Sequence, residues 1–146
     1  MTENLICNIA WNNKKKVLIV EDEVLQRHLL REYLCEAGYE VVEALDGQEA
    51  LEKLAVDPEI RLVITDLKMP RLDGFGLITE IRKKQLHYIY ILVQTHRDDE
   101  ETLVKALFLG ADDFLKKPVR PVELCLRVAG GFRVLKLEKF EELIFF

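Results

Sequence analysis

At 146 residues, with 49% hydrophobic and 32% charged side chains, the chain has the size and composition of a single globular domain with one substantial core. Its net charge of -5 argues against direct nucleic-acid binding or an anionic-membrane surface, both of which need a basic face. Cys7, Cys35 and Cys125 are odd in number and lack C-x-x-C spacing, so they read as reduced thiols of a cytoplasmic protein, with no disulfide or zinc.

Residues 1–14 have no clear period and read as an N-terminal extension. The apolar patch at residues 5–11 is too short for a membrane span and lacks the basic lead of a signal peptide. Val17, Leu18, Ile19 and Val20 form a continuous apolar run, the pattern of a strand buried on both faces. That run ends in Glu21, Asp22 and Glu23. A helix follows to Ala37, with Leu29, Leu30, Tyr33 and Leu34 at helical spacing and Gly38 as its stop.

A second strand is expected at residues 39–44, and Asp46 with Glu49 has capping-box spacing for a helix that ends before Pro58. The third strand, residues 61–65, delivers Asp66 to a turn rich in Pro70, Asp73 and Gly74, and Asp73 caps a helix with Leu77, Ile78 and Ile81 inward. Residues 88–95 read as a fourth strand. Asp98, Asp99, Glu100 and Glu101 then open a helix to Gly110, with acids in the turn that the helix dipole favours. Residues 113–116 make a fifth strand, and Pro121 begins the last helix. Five strand-helix units with short crossovers predict an α/β fold: a flavodoxin-like, doubly wound, five-stranded parallel sheet, (βα)5, in one domain.

Ligands of such sheets bind outside the carboxyl ends of the strands. Those ends hold Glu21 and Asp22, then Asp66, then Thr95, then Lys117 followed by Pro118. Converging carboxylates repel unless a cation intervenes, and oxygen-only ligation suits Mg²⁺. Asp66 can then stay ionised and attack a phosphoryl group, whose oxygens the Lys117 ammonium and the Thr95 hydroxyl would help to balance. Singly, each residue has a plainer role: Asp66 and Thr95 as turn or cap residues, Lys117 as a solvated lysine, Glu21 and Asp22 as helix-start acids.

Taken together, Glu21-Asp22-Glu23, Asp66 with Met69-Pro70 and Asp73-Gly74, Thr95, and Lys117-Pro118 resemble the receiver domain of bacterial two-component response regulators, over residues 15–130. The resemblance implies that Asp66 is the phosphoacceptor, and that Asp22 and Asp66 ligate Mg²⁺ directly. Glu21 would act through a water, and the Lys68 backbone carbonyl would be a further ligand. It implies Thr95 and Phe114 as a switch pair and a cis bond at Lys117-Pro118. It also implies a signalling phosphoacceptor that supports its own phosphotransfer and autodephosphorylation rather than an enzyme, served by a sensor histidine kinase or phosphotransfer protein.

Glu21 stands where Asp is commoner, and His96 follows Thr95 where a small residue is usual, so His96 is read as solvent-facing or gating. Lys68 and Arg97 are expected to crowd the water that hydrolyses an Asp66 acyl phosphate. An aspartyl-phosphate hydrolase of haloacid-dehalogenase type is disfavoured because Lys68 stands where its second Asp would be. Nucleotide binding lacks a glycine-rich loop after the first strand, and a non-catalytic interaction domain has no use for the acidic pocket. Residues 131–146, with Phe140, Leu143, Ile144, Phe145 and Phe146, are expected to continue the last helix as an extension. It would pair with a second copy or lead to a C-terminal effector domain outside this chain.

Overall fold

The computed structural model describes residues 15–84, 87–96 and 99–145, with side chains to residue 138. In chain order the elements are β1 (Lys16–Val20), α1 (Val24–Glu36), β2 (Glu40–Ala44), α2 (Gly47–Val56), β3 (Leu62–Asp66), α3 (Gly74–Lys84), β4 (Tyr90–His96), α4 (Glu100–Leu109), β5 (Asp113–Lys117) and α5 (Pro121–Phe145). All pairings are parallel, in the order β2-β1-β3-β4-β5. This is the flavodoxin-like sheet expected from the strand-helix alternation.

The two faces of the sheet bury separate clusters. Leu18, Val20, Val63, Ile91 and Val93 face α2, α3 and α4, where Ala50, Leu77, Ile78, Ile81 and Ala106 meet them. Val17, Ile19, Leu62, Ile64, Leu92 and Leu115 face α1 and α5, against Leu30, Leu34, Leu124 and Val128. The apolar runs of β1, β3 and β4 are thus the consequence of burial on both sides. What remains polar on these strands is confined to their ends.

The predicted helix signals operate with local differences. Asp46 accepts the Glu49 amide at 2.9 Å as an N-cap, while the Glu49 carboxylate returns to the amide of Leu45 (3.3 Å) rather than to that of Asp46. Asp73 accepts from the Gly76 amide at 2.8 Å. Asp99 spends its carboxylate on the Thr102 hydroxyl and makes no backbone cap, and Asp98 lies outside the described residues. Gly110 ends α4 at φ 124, in the left-handed region where a side chain is strained. Among the described residues Cys35 and Cys125 are both unpaired.

Helix α5 is continuous through residue 130. Phe132 stacks on Tyr39 with ring centroids 5.5 Å apart, and Leu135 is buried in the α1–α5 cluster. Gly131 is what lets the helix lie this close. A Cβ there would sit 2.7 Å from Leu62 Cδ1 and 2.8 Å from the Tyr90 ring, whereas at Gly130 the nearest atom is 3.6 Å away. We expect Gly131→Ala to lower stability by about 1–2 kcal/mol, because overpacking outweighs the helix-propensity gain. Gly130→Ala is expected to raise it by about 0.5–1 kcal/mol. Urea denaturation midpoints moving in opposite directions check this; a shift of the same sign would mean that α5 is not seated at Gly131.

Candidate functional site

The carboxyl ends of the strands bring four of the predicted residues together. Glu21 follows β1, and its amide extends the ladder to the Ala44 carbonyl at 3.0 Å, which fixes its backbone while its side chain is 1% exposed. Arg27, one turn into α1, donates to the Glu21 carbonyl at 2.9 Å and to that of Asp22 at 3.5 Å, tying the acidic loop to the helix. Asp66 is the last residue of β3. Ligand oxygens of Glu21, Asp22 and Asp66 lie within 4.8 Å of one another.

Lys117, at the end of β5, donates to Asp66 Oδ2 at 2.6 Å and stands 3.9 Å from Glu21 Oε1. Asp66 Oδ1 accepts from the Leu67 amide at 2.7 Å and the Lys68 amide at 3.4 Å. Burial alone would raise the Asp66 carboxyl, but the Lys117 ammonium, followed by the Glu21 carboxyl and the Leu67 amide, holds it below the usual carboxylate range. Glu21 goes the other way. Burial, with the Asp66 carboxylate beside it, pushes its carboxyl up to about 8.

Thr95 is buried near the end of β4, and Phe114 on β5 is half-buried against the α2–α4 face. Their strands are paired, Val93 opposite Phe114 and Thr95 opposite Lys116. His96 is exposed, as expected of a solvent-facing residue, and so is Lys68; Arg97 lies outside the described residues. The Lys117–Pro118 bond is cis.

One support was not read from the sequence. Arg71, in the turn after Pro70, adopts φ 63 and grips Asp46 with Nε to Oδ2 at 2.7 Å and Nη2 to Oδ1 at 3.1 Å. Beside it the Gly47 amide donates to the Leu72 carbonyl at 3.0 Å, and a Cβ on Gly47 would lie 2.5 Å from that oxygen. The loop after Asp66 is thereby fastened to the start of α2. Asp46 carried a capping signal in the sequence, but the partner across 25 positions did not show there.

The receiver-domain family model of response regulators matches residues 17–129. The chain belongs to this family. It is 43% identical over 121 residues to the probable transcriptional regulator ycf27 of Cyanophora paradoxa, covering 83% of this chain and 49% of the relative. It is 40% identical over 120 residues to the alkaline phosphatase synthesis transcriptional regulatory protein PhoP of Bacillus subtilis, covering 82% and 49%. Among solved structures, NtrX from Brucella abortus superposes with TM-score 0.83 at 30% identity, over 90% of this chain and 29% of that one. A probable two-component response regulator/GGDEF domain protein gives TM-score 0.83 at 30% identity, over 92% and 55%. This receiver domain spans about half the length of the transcriptional regulators it matches. No helix among its described residues is long and apolar enough to cross a membrane.

Two outcomes follow from the electrostatics. Arg71, by its hydrogen bonds, holds the Asp46 carboxyl below its ordinary 3.8. The pair therefore stabilises fully above that value and loses its effect as pH falls through the lower folded value. Thermal midpoints of wild type and Arg71→Ala should converge on acidification; a constant gap would exclude the ion pair as the cause. Glu21→Gln removes one of three crowded carboxylates, so without divalent ions it should raise the thermal midpoint; a midpoint that stays or falls would show that repulsion is not what limits the cluster.

Proposed function

We propose that this receiver domain takes a phosphoryl group onto Asp66 from a sensor histidine kinase or phosphotransfer protein, in a Mg²⁺-dependent reaction, and passes the change to an output partner. The observation that supports this best is the Asp66–Lys117 contact set beside two further carboxylates. A structural ion pair needs neither Glu21 nor Asp22, and burying Glu21 is costly. Glu21 Oε2 is buried without a hydrogen-bond partner in the protein, which fits a group kept for a cation or its bound water.

Glu21, Asp22, Asp66 and the Lys68 carbonyl would hold Mg²⁺, which supplies positive charge for the transferring phosphoryl oxygens. The protein's own part is the nucleophile and its surroundings. An Asp66 oxygen forms the new bond to phosphorus while the donor's bond to phosphorus breaks and its electron pair leaves with the donor. The Leu67 and Lys68 amides orient the carboxylate, and the Lys117 ammonium balances the phosphoryl charge. The Thr95 hydroxyl on the neighbouring strand end would move toward the phosphoryl, with Phe114 turning inward into the space behind it. The domain is thus a phosphoacceptor that assists its own transfer and hydrolysis, working in the cytoplasm. Its relatives' greater length supports an effector beyond α5, with pairing to a second copy as the other use of that helix.

Incubation with acetyl phosphate and Mg²⁺ should give wild type a hydroxylamine-labile label that Asp66→Asn lacks. Persistence of that label on Asp66→Asn would refute the acceptor assignment. Lys117→Ala should bind Mg²⁺ nearly normally and lose the beryllofluoride-induced change in tyrosine emission; a normal change would remove Lys117 from the response.

A further inference from the structure

Beside the acceptor lies a polar residue that the proposed chemistry does not use. Gln94 is 0% exposed, and neither its amide oxygen nor its amide nitrogen has a hydrogen-bond partner in the protein. Buried amides are ordinarily satisfied, because desolvating one without a partner is costly. Sheet register defines where it sits. Val20 lies opposite Thr65 and Asp66 opposite Gln94, so Glu21, Asp66 and Gln94 form one row across β1, β3 and β4.

Two residues before that row, Ile19, Ile64 and Leu92 all belong to the α1–α5 cluster, and by the two-residue period Gln94 projects from the same face as Asp66. Leu115, opposite Gln94 on β5, is in that cluster too, and Lys117 lies two residues further on. To reach Asp66 on β3 at 2.6 Å, the Lys117 side chain must therefore cross β4 on the face that carries Gln94. With neighbouring strands about 4.8 Å apart, Gln94 stands one strand from each of Asp66 and Lys117.

We infer that Gln94 is a positioning residue for Lys117: its amide oxygen accepts the ammonium when Lys117 withdraws from Asp66 Oδ2, leaving that oxygen free to attack phosphorus. The inference rests on the reading of Asp66 as acceptor. Oδ1 is fixed by two backbone amides, whereas Oδ2 receives the side chain of Lys117, so Oδ2 is the oxygen that a side-chain movement can uncover. The Lys117 side chain is 13% exposed, and until the phosphoryl oxygens arrive an ammonium leaving its carboxylate there needs a second acceptor in place of water. A neutral amide suits this role, because it can receive the cation without outcompeting the carboxylate at rest.

The test is a double-mutant cycle on the full chain with acetyl phosphate and Mg²⁺, run once Asp66→Asn has been shown to lose the label. Gln94→Leu should slow labelling about ten-fold, the size of one hydrogen bond to a charged group, without lowering the denaturation midpoint. In a Lys117→Ala background the same change should have no further effect. Labelling that Gln94→Leu leaves unchanged, or slows equally in both backgrounds, overturns the inference while leaving Asp66 as acceptor. If Lys117→Ala labels too slowly to follow, the cycle is read on the affinity for beryllofluoride, with the same two outcomes. If Gln94→Leu does not fold, Gln94→Met carries the test.

Discussion

The crowding of Glu21, Asp22 and Asp66 at adjacent strand ends is the constraint on which the rest of the site depends. Unit charges about 4 Å apart interact by roughly 4 kcal/mol at an effective dielectric of 20, several times the net contribution of an ordinary hydrogen bond. Such a cluster persists only if charge is compensated or a proton retained. Both devices are present. Lys117 reaches from β5 across β4 to Asp66, and Glu21, buried behind it, has a carboxyl pushed up to about 8. The two shifts are linked: the cation favours the ionised form of Asp66, and burial, with ionised Asp66 beside it, disfavours ionisation of Glu21.

The scaffold earns its rigidity away from these charges. β1, β3 and β4 are apolar on both faces, so the register that sets Asp66 beside Gln94 and Val20 beside Thr65 is held by packing. The loop after Asp66 is held separately, by Gly74 to the Leu67 carbonyl at 3.0 Å and by Arg71 and Leu72 to the start of α2. Helix α4 packs on the opposite face of the sheet from α1 and α5. The exposed Val104, Leu107 and Phe108 lie on that helix, on the far side from α1 and α5.

The C-terminal helix occupies an intermediate position. Gly131, Phe132 and Leu135 belong to the packed domain although the family match ends at residue 129. Val122, Leu126, Val134 and Leu137 on the same helix remain exposed. One helix thus serves the core with one stripe and leaves another apolar stripe unused.

Much of this was determined by local chemistry and is legible in the sequence. The two-sided burial of β1, the caps at Asp46 and Asp73, the glycine after α4, and the order Glu21, Asp22, Asp66, Thr95, Lys117 follow from residue types at fixed spacing. Those features depend on neighbours a few positions away or on the repetition of strand and helix. What only the tertiary structure decided depends on pairs far apart in the chain. Arg71 could not be matched to Asp46, nor Gln94 placed opposite Asp66, from spacing, because the first depends on how two loops pack and the second on strand register. A glutamine within an apolar strand was a visible irregularity; its row in the sheet was not. The raised carboxyl of Glu21 likewise required burial and the position of Asp66 to be known, since the same glutamate in water would titrate as any other.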